Sequence, residues 1–414
     1  MRTRSRYFRH ALLAAVAATA LVAAGCGKSS GGGGGGQSIS GKKLQIGAAL
    51  SLTGSLAKEG LLTKQGYQLC QSQVNKKGGV NVGGKKLQLA ITYQDDKSEP
   101  DTAAQLVDKF NDQGLKLVLG PYGSPSTEAA AAVVERNGQI MVDSSGADNT
   151  IFSKGYQNTF AVLSPATKYV ATMIDGIAAS ANPKPKTVAI IAADDGFSQT
   201  AAKAGAAEAK KKGMKVVAFE TVPAHTTDVS AQLTKIRSDK PDLIIGSAHV
   251  EEGIAIVKQS QQLGVKPQGF GETVAPPTPD FQAALGKSAN GVVGSTQWTP
   301  QTKGSDKLFG TAQDYAKLYQ QRFGKPAEYH SAEAAAACEA LVLGVQKAGS
   351  ADPAKVRSAL KSLNTPSFFG PIKFDSTGKN VTKPMGDIQI QNGKVVTIYP
   401  PAWAKAKLKW PGTS

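Results

Sequence analysis

The sequence predicts an α/β protein of two lobes with like topology, each a parallel sheet flanked by helices. From residue 42 onward, short apolar runs alternate with amphipathic helical stretches, the pattern of βα units around a parallel sheet. Near residue 186 the series starts again, and two successive βα series place a cleft between two lobes, lined by carboxyl ends of strands and amino ends of helices. The length agrees: 414 residues that are 41% hydrophobic bury a sizeable core and divide naturally in two.

In the first series KLQIGAAL (43–50), KLQLAITY (86–93), LKLVLG (115–120) and QIMVD (139–143) read as strands, with helices around 60–76, 101–113 and 126–137. In the second, KTVAIIA (186–192), KVVAFE (215–220) and DLIIGS (242–247) are strands, with helices around 166–180, 198–212, 229–238 and 251–263. After GVVGST (291–296) the periodicity predicts helices over 306–323, 328–348 and 353–363. FFGPIKFDSTGKN reads as an extended crossing, and DIQIQNGKVVTIY as a hairpin turning at Asn392 and Gly393.

The amino terminus stands apart. Arg2, Arg4, Arg6 and Arg9 precede ALLAAVAATALVAAG, a basic region followed by a short apolar one, which reads as an export signal over residues 1–25. It is shorter than the roughly 20 apolar residues that span a bilayer. The signal ends in VAAGC, which resembles the lipobox of bacterial lipoproteins and so implies lipidation of Cys26; an ordinary secretory cut nearby is the alternative. GKSSGGGGGGQS then reads as a flexible tether, taken as 26–41. The expected location is the cell envelope, lipid-anchored to the outer face of the cytoplasmic membrane or periplasmic.

Without the four signal arginines, 44 basic residues face 31 acidic ones, a net charge of +13. The lysines are scattered and aromatics are only 6% of the chain, so this charge reads as a solvated surface or attraction to an anionic envelope, not as a nucleic-acid interface. With Cys26 lipidated, Cys70 and Cys338 remain. In an oxidising compartment that even remainder suggests one disulfide, between the first helix and the helix at 328–348, with two buried thiols as the other reading.

Enzyme signatures are sparse. The nearest approach to a phosphate-binding loop is LGKS (285–288), where Phe281 occupies the position that needs the first glycine. No HExxH, zinc-type Cys/His spacing or Gly-x-Ser-x-Gly elbow occurs. His225, His249 and His330 are the histidines beyond the signal, and none adjoins a nucleophile motif. The expectation is no enzyme, no cofactor and no metal. Two acidic stretches that follow strands, YQDDKSEP (93–100) and ADDGF (193–197), read as turn chemistry; for the second, paired carboxylates stand as an equal reading.

GPYGSPSTEAA (120–130) turns a strand directly into a helix. Ser124 reads as the N-cap and Pro125 as the first helical residue, leaving the N–H groups of Ser126 and Thr127 to face an anion. A helix cap without a ligand is the plain alternative.

ALSLTGSLAKEG, VNKKGGV, YQDDKSEP, LVLGPYGSPST and GYQNTFAV, in that order, resemble the branched-chain amino-acid (Leu/Ile/Val) binding proteins, type I periplasmic binding proteins that serve as solute receptors of ABC importers. The resemblance spans about residues 43 to 400. It implies two Rossmann-like lobes with parallel central sheets, joined by three crossings near 161, 296 and 375: an N-terminal lobe of 42–161 and 297–375, and a C-terminal lobe of 162–296 and 376–414. It further implies that Ser124 binds the solute carboxylate and that Ser145 offers its carbonyl to the ammonium. Ala147 stands where a hydroxyl residue usually sits, with Asp148 beside it as an acceptor. Phe197 matches a tyrosine that closes over the ligand, with a core aromatic as an equal reading, and Glu272 lies within a residue of an ammonium-binding glutamate, with a surface acid as the alternative. Glu59, Ala248 and Ala334/Ala335 stand where the family places aromatics; His249, beside Ala248, reads first as a solvated loop histidine, with substitution for the missing tyrosine as the alternative.

Exchanging aromatics for Glu59 and Ala248 argues for polar or cationic solutes over leucine, isoleucine or valine. The expected function is that of a monomeric lipoprotein delivering a small amino-acid-like or amide solute to an ABC permease. A cleft amidase with Ser124 as nucleophile, or a ligand sensor, are the alternatives.

Overall fold

The computed structural model describes residues 38–412; Cys26, the export signal and the tether up to residue 37 lie outside the described residues. The first sheet contains β1 (Ile39–Ser40), β2 (Lys43–Leu50), β3 (Val80–Val82), β4 (Lys85–Asp95), β5 (Leu117–Leu119), β6 (Ile140–Asp143) and β7 (Thr159–Ala161). Its order is β3-β4-β2-β5-β6-β7, parallel from β4 to β7, with β3 and β1 added antiparallel. Helices α1 (Ala57–Lys76), α2 (Pro100–Asp112) and α3 (Ser124–Asn137) connect these strands. Every residue of β5 and β6 is buried, as expected of parallel strands covered on both faces.

Helices α4 (Tyr169–Ser180), α5 (Gly196–Lys211), α6 (Ser230–Asp239), α7 (Val250–Gln262) and α8 (Pro279–Leu285) alternate with β8 (Thr187–Ala193), β9 (Lys215–Val222), β10 (Leu243–Ser247), β11 (Gly269–Glu272) and β12 (Val293–Thr296). Two short antiparallel pairs follow, β13 (Ser305–Asp306) with β14 (Gly310–Thr311) and β15 (Asn364–Thr365) with β16 (Ile372–Lys373). The hairpin β17 (Gly386–Gln391) and β18 (Lys394–Tyr399) then joins the second sheet antiparallel, in the order β18-β17-β12-β11-β10-β8-β9. Its turn residues Asn392 and Gly393 have φ of 53° and 70°, the left-handed geometry an Asn-Gly hairpin turn requires.

Helices α9 (Ala312–Phe323), α10 (Tyr329–Ala348) and α11 (Pro353–Lys361) return to the first lobe, where Tyr315, Leu341 and Val356 share a core with Leu44, Ile46 and Leu117. Helix α10 packs along α1, and Cys70 of α1 is disulfide-bonded to Cys338 of α10. The helices meet closely at Gly66, where a Cβ would stand 2.2 Å from the Ser331 carbonyl oxygen, so only glycine fits.

The three crossings between lobes are bound to one another. Gln297 accepts from the Ser164 N–H (3.0 Å) and donates to the Ser164 carbonyl (3.0 Å) and the Tyr169 hydroxyl (2.9 Å). Asn380 donates to the Val162 carbonyl (2.8 Å), and the Lys383 ammonium donates to the Gln297 carbonyl.

Two expectations are corrected. The helix placed over 306–323 starts only at Ala312, because the Asp306 carboxylate accepts from the N–H groups of Leu308, Phe309 and Phe368 and folds 305–311 into a turn, after which Thr311 and Asp314 form a capping box. The last tether positions are structured: β1 pairs with β2, and the Ser38 hydroxyl accepts from the Lys116 N–H. The turn reading of 93–100 holds, since Asp95 and Asp96 accept from N–H and hydroxyl groups of Leu52, Thr53, Ser51, Lys97 and Ser98. Among the described residues no helix is long and apolar enough to cross a membrane.

Candidate functional site

The site lies where the carboxyl ends of both sheets face each other. After β5 the chain passes through Gly123, whose φ of 85° makes the turn that starts α3. Here the structure corrects the cap. Gly123 is the N-cap and Ser124 is already helical; the Thr127 N–H is bonded to the Gly123 carbonyl (3.0 Å) rather than left over, and Ser124 Oγ accepts from the Asp148 N–H (3.1 Å). The loop after β6 is held by Asp143, whose carboxylate accepts from the N–H groups of Ser145 and Gly146. Burial pushes the Asp143 carboxyl up to about 6 against those hydrogen bonds.

The first lobe contributes Tyr122, Ser124 and Ser145 to one cavity; α10 contributes Tyr329, His330 and Glu333; the second lobe contributes Tyr169, Phe197, His249 and Val274. The cavity measures about 10 Å³, room for a single water. Ser145 Oγ donates to Glu333 Oε1 (3.3 Å), while Glu333 Oε2 is buried without a hydrogen-bond partner. Burial pushes the Glu333 carboxyl well above its ordinary range, and the nearby Glu328 and Asp143 carboxylates push it further. Lys383 opposes this through its charge; burial in turn pulls the Lys383 amine down to about 7.

The lobes are in contact around this cavity. Glu59 Oε1 accepts from the Val250 N–H (3.3 Å), Lys58 pairs with Glu251 (3.3 Å), and the Thr200 hydroxyl donates to Asp148 Oδ1 (3.0 Å). At Gly196 a Cβ would stand 2.1 Å from Asp148 Oδ2, so a larger residue here would have to displace that carboxylate from its bonds to Thr150 and Thr200. This is the closed form of a two-lobed clamp.

With this geometry the comparisons with known proteins agree. A family model described as periplasmic binding protein matches residues 43–394. The chain belongs to the periplasmic binding protein family, type I. The leucine-, isoleucine-, valine-, threonine- and alanine-binding protein of Pseudomonas aeruginosa is 26% identical over 347 residues, covering 82% of this chain and 88% of its own. Among solved structures, the leucine binding protein LivK of Thermotoga maritima superposes with a TM-score of 0.76 at 22% identity, over 86% of this chain and 97% of that one. A solute binding protein of an ABC transporter from R. palustris, in complex with benzoate, superposes with a TM-score of 0.72 at 18% identity, over 90% and 97%.

In this periplasmic binding protein the residues singled out from sequence divide into two groups. Ser124, Ser145 and Phe197 line the cavity together, and Phe197 packs edge-on against Tyr169 (4.9 Å) and beside His249 (5.6 Å). The others lie outside the lining. Ser126 and Thr127 are buried in the first turn of α3; Ala147 is buried, and its N–H takes the Ser145 carbonyl (3.2 Å) that was assigned to an ammonium. Ala248 is buried with its N–H on Thr273, and Glu59 faces the start of α7. Glu272 packs over Gly246 and beside Glu252, both its carboxyl oxygens buried without hydrogen-bond partners. Ala334 and Ala335 sit in the core.

His249 is not a solvated loop residue: it is 6% exposed, between Phe197 and Tyr122. Tyr122, Tyr169, Tyr329, His330 and Glu333 are lining residues that sequence reasoning did not assign. Their signal was present in EYHSAE (328–333), a cluster of polar residues opening a helix whose next turns are almost wholly alanine and buried. The largest cavity described, about 840 Å³, lies elsewhere, on the first lobe between α1, α10 and residues 305–308. It is a broad surface hollow lying away from the interlobe face, whereas the small cavity gathers polar groups from both lobes.

Proposed function

We propose that this protein captures a small amino-acid-like solute between its lobes and delivers it to an ABC permease. One observation carries the reading: Ser124, Ser145 and Glu333, from three separate chain segments, converge on one interlobe cavity, two hydroxyls and an acid whose second oxygen lacks a partner. That set suits a zwitterion, with the carboxylate at Ser124 and the start of α3, and the ammonium at Ser145 and Glu333. In the closed form the cavity holds no more than a water, so solute enters the open clamp and replaces the contacts between lining side chains as the lobes close.

The side-chain preference needs a different basis from the one read in the sequence, because Glu59 and Ala248 are not lining residues. Tyr122, His249 and His330 now supply it. Three polar groups on that wall favour a polar solute side chain over leucine, isoleucine or valine. The lobes are taken as 42–161 with 297–375 and 162–296 with 376–414, the molecule as a monomer, and Cys26 as its lipid anchor to the envelope. The amidase alternative is weakened by the surroundings of Ser124, since its Oγ accepts a backbone N–H and the nearby imidazoles bond Tyr122 instead.

A thermal-shift panel of amino acids, short amides and polyamines tests this. Ligand at 100 times its dissociation constant adds roughly 2.7 kcal/mol to the fold, a readable shift. The best ligand should lose most of its shift in Ser124→Ala. Absence of any shift across the panel, or an unchanged shift in that variant, would refute the reading.

A further inference from the structure

The first lobe carries its positive charge at one end. Between residues 27 and 94 the chain holds nine lysines and a single acid, Glu59, which stands in the first turn of α1 at the cleft. Six of those lysines gather at the opposite end. Lys76 and Lys77 close α1, and Asn75 beside them is bonded twice to β4, donating to the Leu89 carbonyl (2.9 Å) and accepting from the Leu89 N–H (2.7 Å). Lys85 and Lys86 open β4, and the Gln88 N–H of that strand donates to the carbonyl of Lys42 (2.8 Å), next to Lys43 at the start of β2. Helix and sheet thus bring three lysine pairs together where the strands begin, away from the cleft at their carboxyl ends. All six are exposed, and among the described residues none of them forms an ion pair. The helix dipole accounts for a lysine at the end of α1, but not for pairs at the starts of β2 and β4.

Two further observations point to a partner. The hollow of about 840 Å³ between α1 and α10 opens at this end, where the exposed Lys77, Lys86 and Lys307 stand over the buried side chains of Val74 and Val342. Its two acids turn inward: the Asp306 carboxylate is taken up by three backbone N–H groups, and Glu339 is 3% exposed. The chain also enters the first lobe here, since β1 pairs Ser40 with Lys43 and the Ser38 hydroxyl accepts from the Lys116 N–H just before β5. Cys26 lies twelve positions before Ser38, at most about 40 Å of extended chain.

We infer that this end of the first lobe docks on an anionic phospholipid surface, with its lysines on the lipid phosphates and a headgroup in the hollow. A negative, extended and phosphate-rich partner suits clustered ammonium groups that have no acid of their own, and a membrane is within reach of an anchor at Cys26. The docking goes beyond the anchor reading and does not require it, because the lysines attract anionic lipid in the unlipidated chain as well. Docked this way, the protein keeps its cleft clear of the membrane. Each lysine at such a surface strengthens binding about fivefold, and salt weakens the attraction. The strand starts of the second lobe carry Lys186, Lys215 and Lys266, but the Asp242 carboxylate stands among them, bonded to the Lys186 N–H (2.7 Å).

Co-sedimentation with vesicles tests the docking, using residues 27–414, which hold every element of the fold and lack Cys26. The chain should bind vesicles of equal parts phosphatidylcholine and phosphatidylglycerol, less tightly as salt rises, and should not bind phosphatidylcholine alone. Exchange of Lys42, Lys43 and Lys85 for Gln, or of Lys77, Lys86 and Lys307, should each weaken binding about a hundredfold. The same exchange at Lys186, Lys215 and Lys266, an equal change in net charge, should weaken it only a few-fold. No binding to the anionic vesicles, or an equal loss in the second-lobe variant, would overturn the proposal. All three variants should keep the wild-type thermal shift with the best solute, which verifies their fold and keeps the result separate from the solute reading.

Discussion

Replacing Glu333 by Gln should move stability and binding in opposite directions. In the solute-free protein the Glu333 carboxyl is buried, holds one hydrogen bond from Ser145 and leaves Oε2 without a partner beside the Glu328 and Asp143 carboxylates. Gln keeps the shape and removes a group whose ionisation the site resists, so the solute-free fold should be as stable as the wild type or more so. For the solute the change removes a charge-assisted contact to the ammonium. Such contacts contribute about 1.5–3 kcal/mol, which is roughly 10- to 150-fold in the dissociation constant. Titration calorimetry with the best amino acid and its 2-hydroxy-acid counterpart isolates the contact. The wild type should prefer the amino acid by about that factor, and Glu333→Gln should lose most of the preference. If the variant retains full preference for the amino group, Glu333 does not hold the ammonium and the zwitterion assignment fails.

Further outcomes follow from other parts of the molecule. Gly196→Ala places a methyl 2.1 Å from Asp148 Oδ2 in the closed form, so it should weaken solute binding, which needs that closure, by tenfold or more; unchanged affinity would count against closure at this contact. Removing the Cys70–Cys338 bridge, which closes a separation of 268 positions, should cost up to about 5 kcal/mol in urea unfolding by the loop-entropy estimate, and equal stability with and without reductant would argue against it. Burial pulls the Lys383 amine down to about 7, well below its unfolded value, so the unfolded chain binds more protons between those limits. Wild-type stability should therefore fall relative to Lys383→Met as pH drops from about 10 to about 7, by no more than about 5 kcal/mol, and level off below; a pH-independent difference would contradict the buried amine.

Much of the fold was legible because its signals are local. The strands 43–50, 86–93 and 186–192 and the helices between them announce themselves by period and length, and the Asn-Gly turn at 392 by residue type. The misreading at 306–311 also has a local cause: periodicity ran on through Asp306, whose carboxylate binds three backbone N–H groups, one of them from Phe368, which no window around 306 contains. The site was legible only in its first half. GPYGSPST is a contiguous loop, so Ser124 could be picked out, and the Ser145 loop after the next strand followed from the family pattern. Glu333 and His330 come from a helix about 200 residues later that rejoins the first lobe after the second crossing, and their roles exist only once α10 lies against α1. For His249 the favoured solvated reading fails for the same reason, and the alternative that it takes the place of a pocket aromatic fits better, since its solvent is removed by Tyr122 and Phe197, residues of two different lobes.

The central claim is that the interlobe cavity is the solute site. A crystal structure with the best amino acid from the thermal-shift panel tests it most directly. Solute should lie between the lobes, its carboxylate at Ser124 and the start of α3, its ammonium at Ser145 and Glu333, and Tyr122 parted from at least one of the two histidines. Solute lodged instead in the 840 Å³ hollow between α1 and α10, with the interlobe side chains in their present contacts, would contradict it.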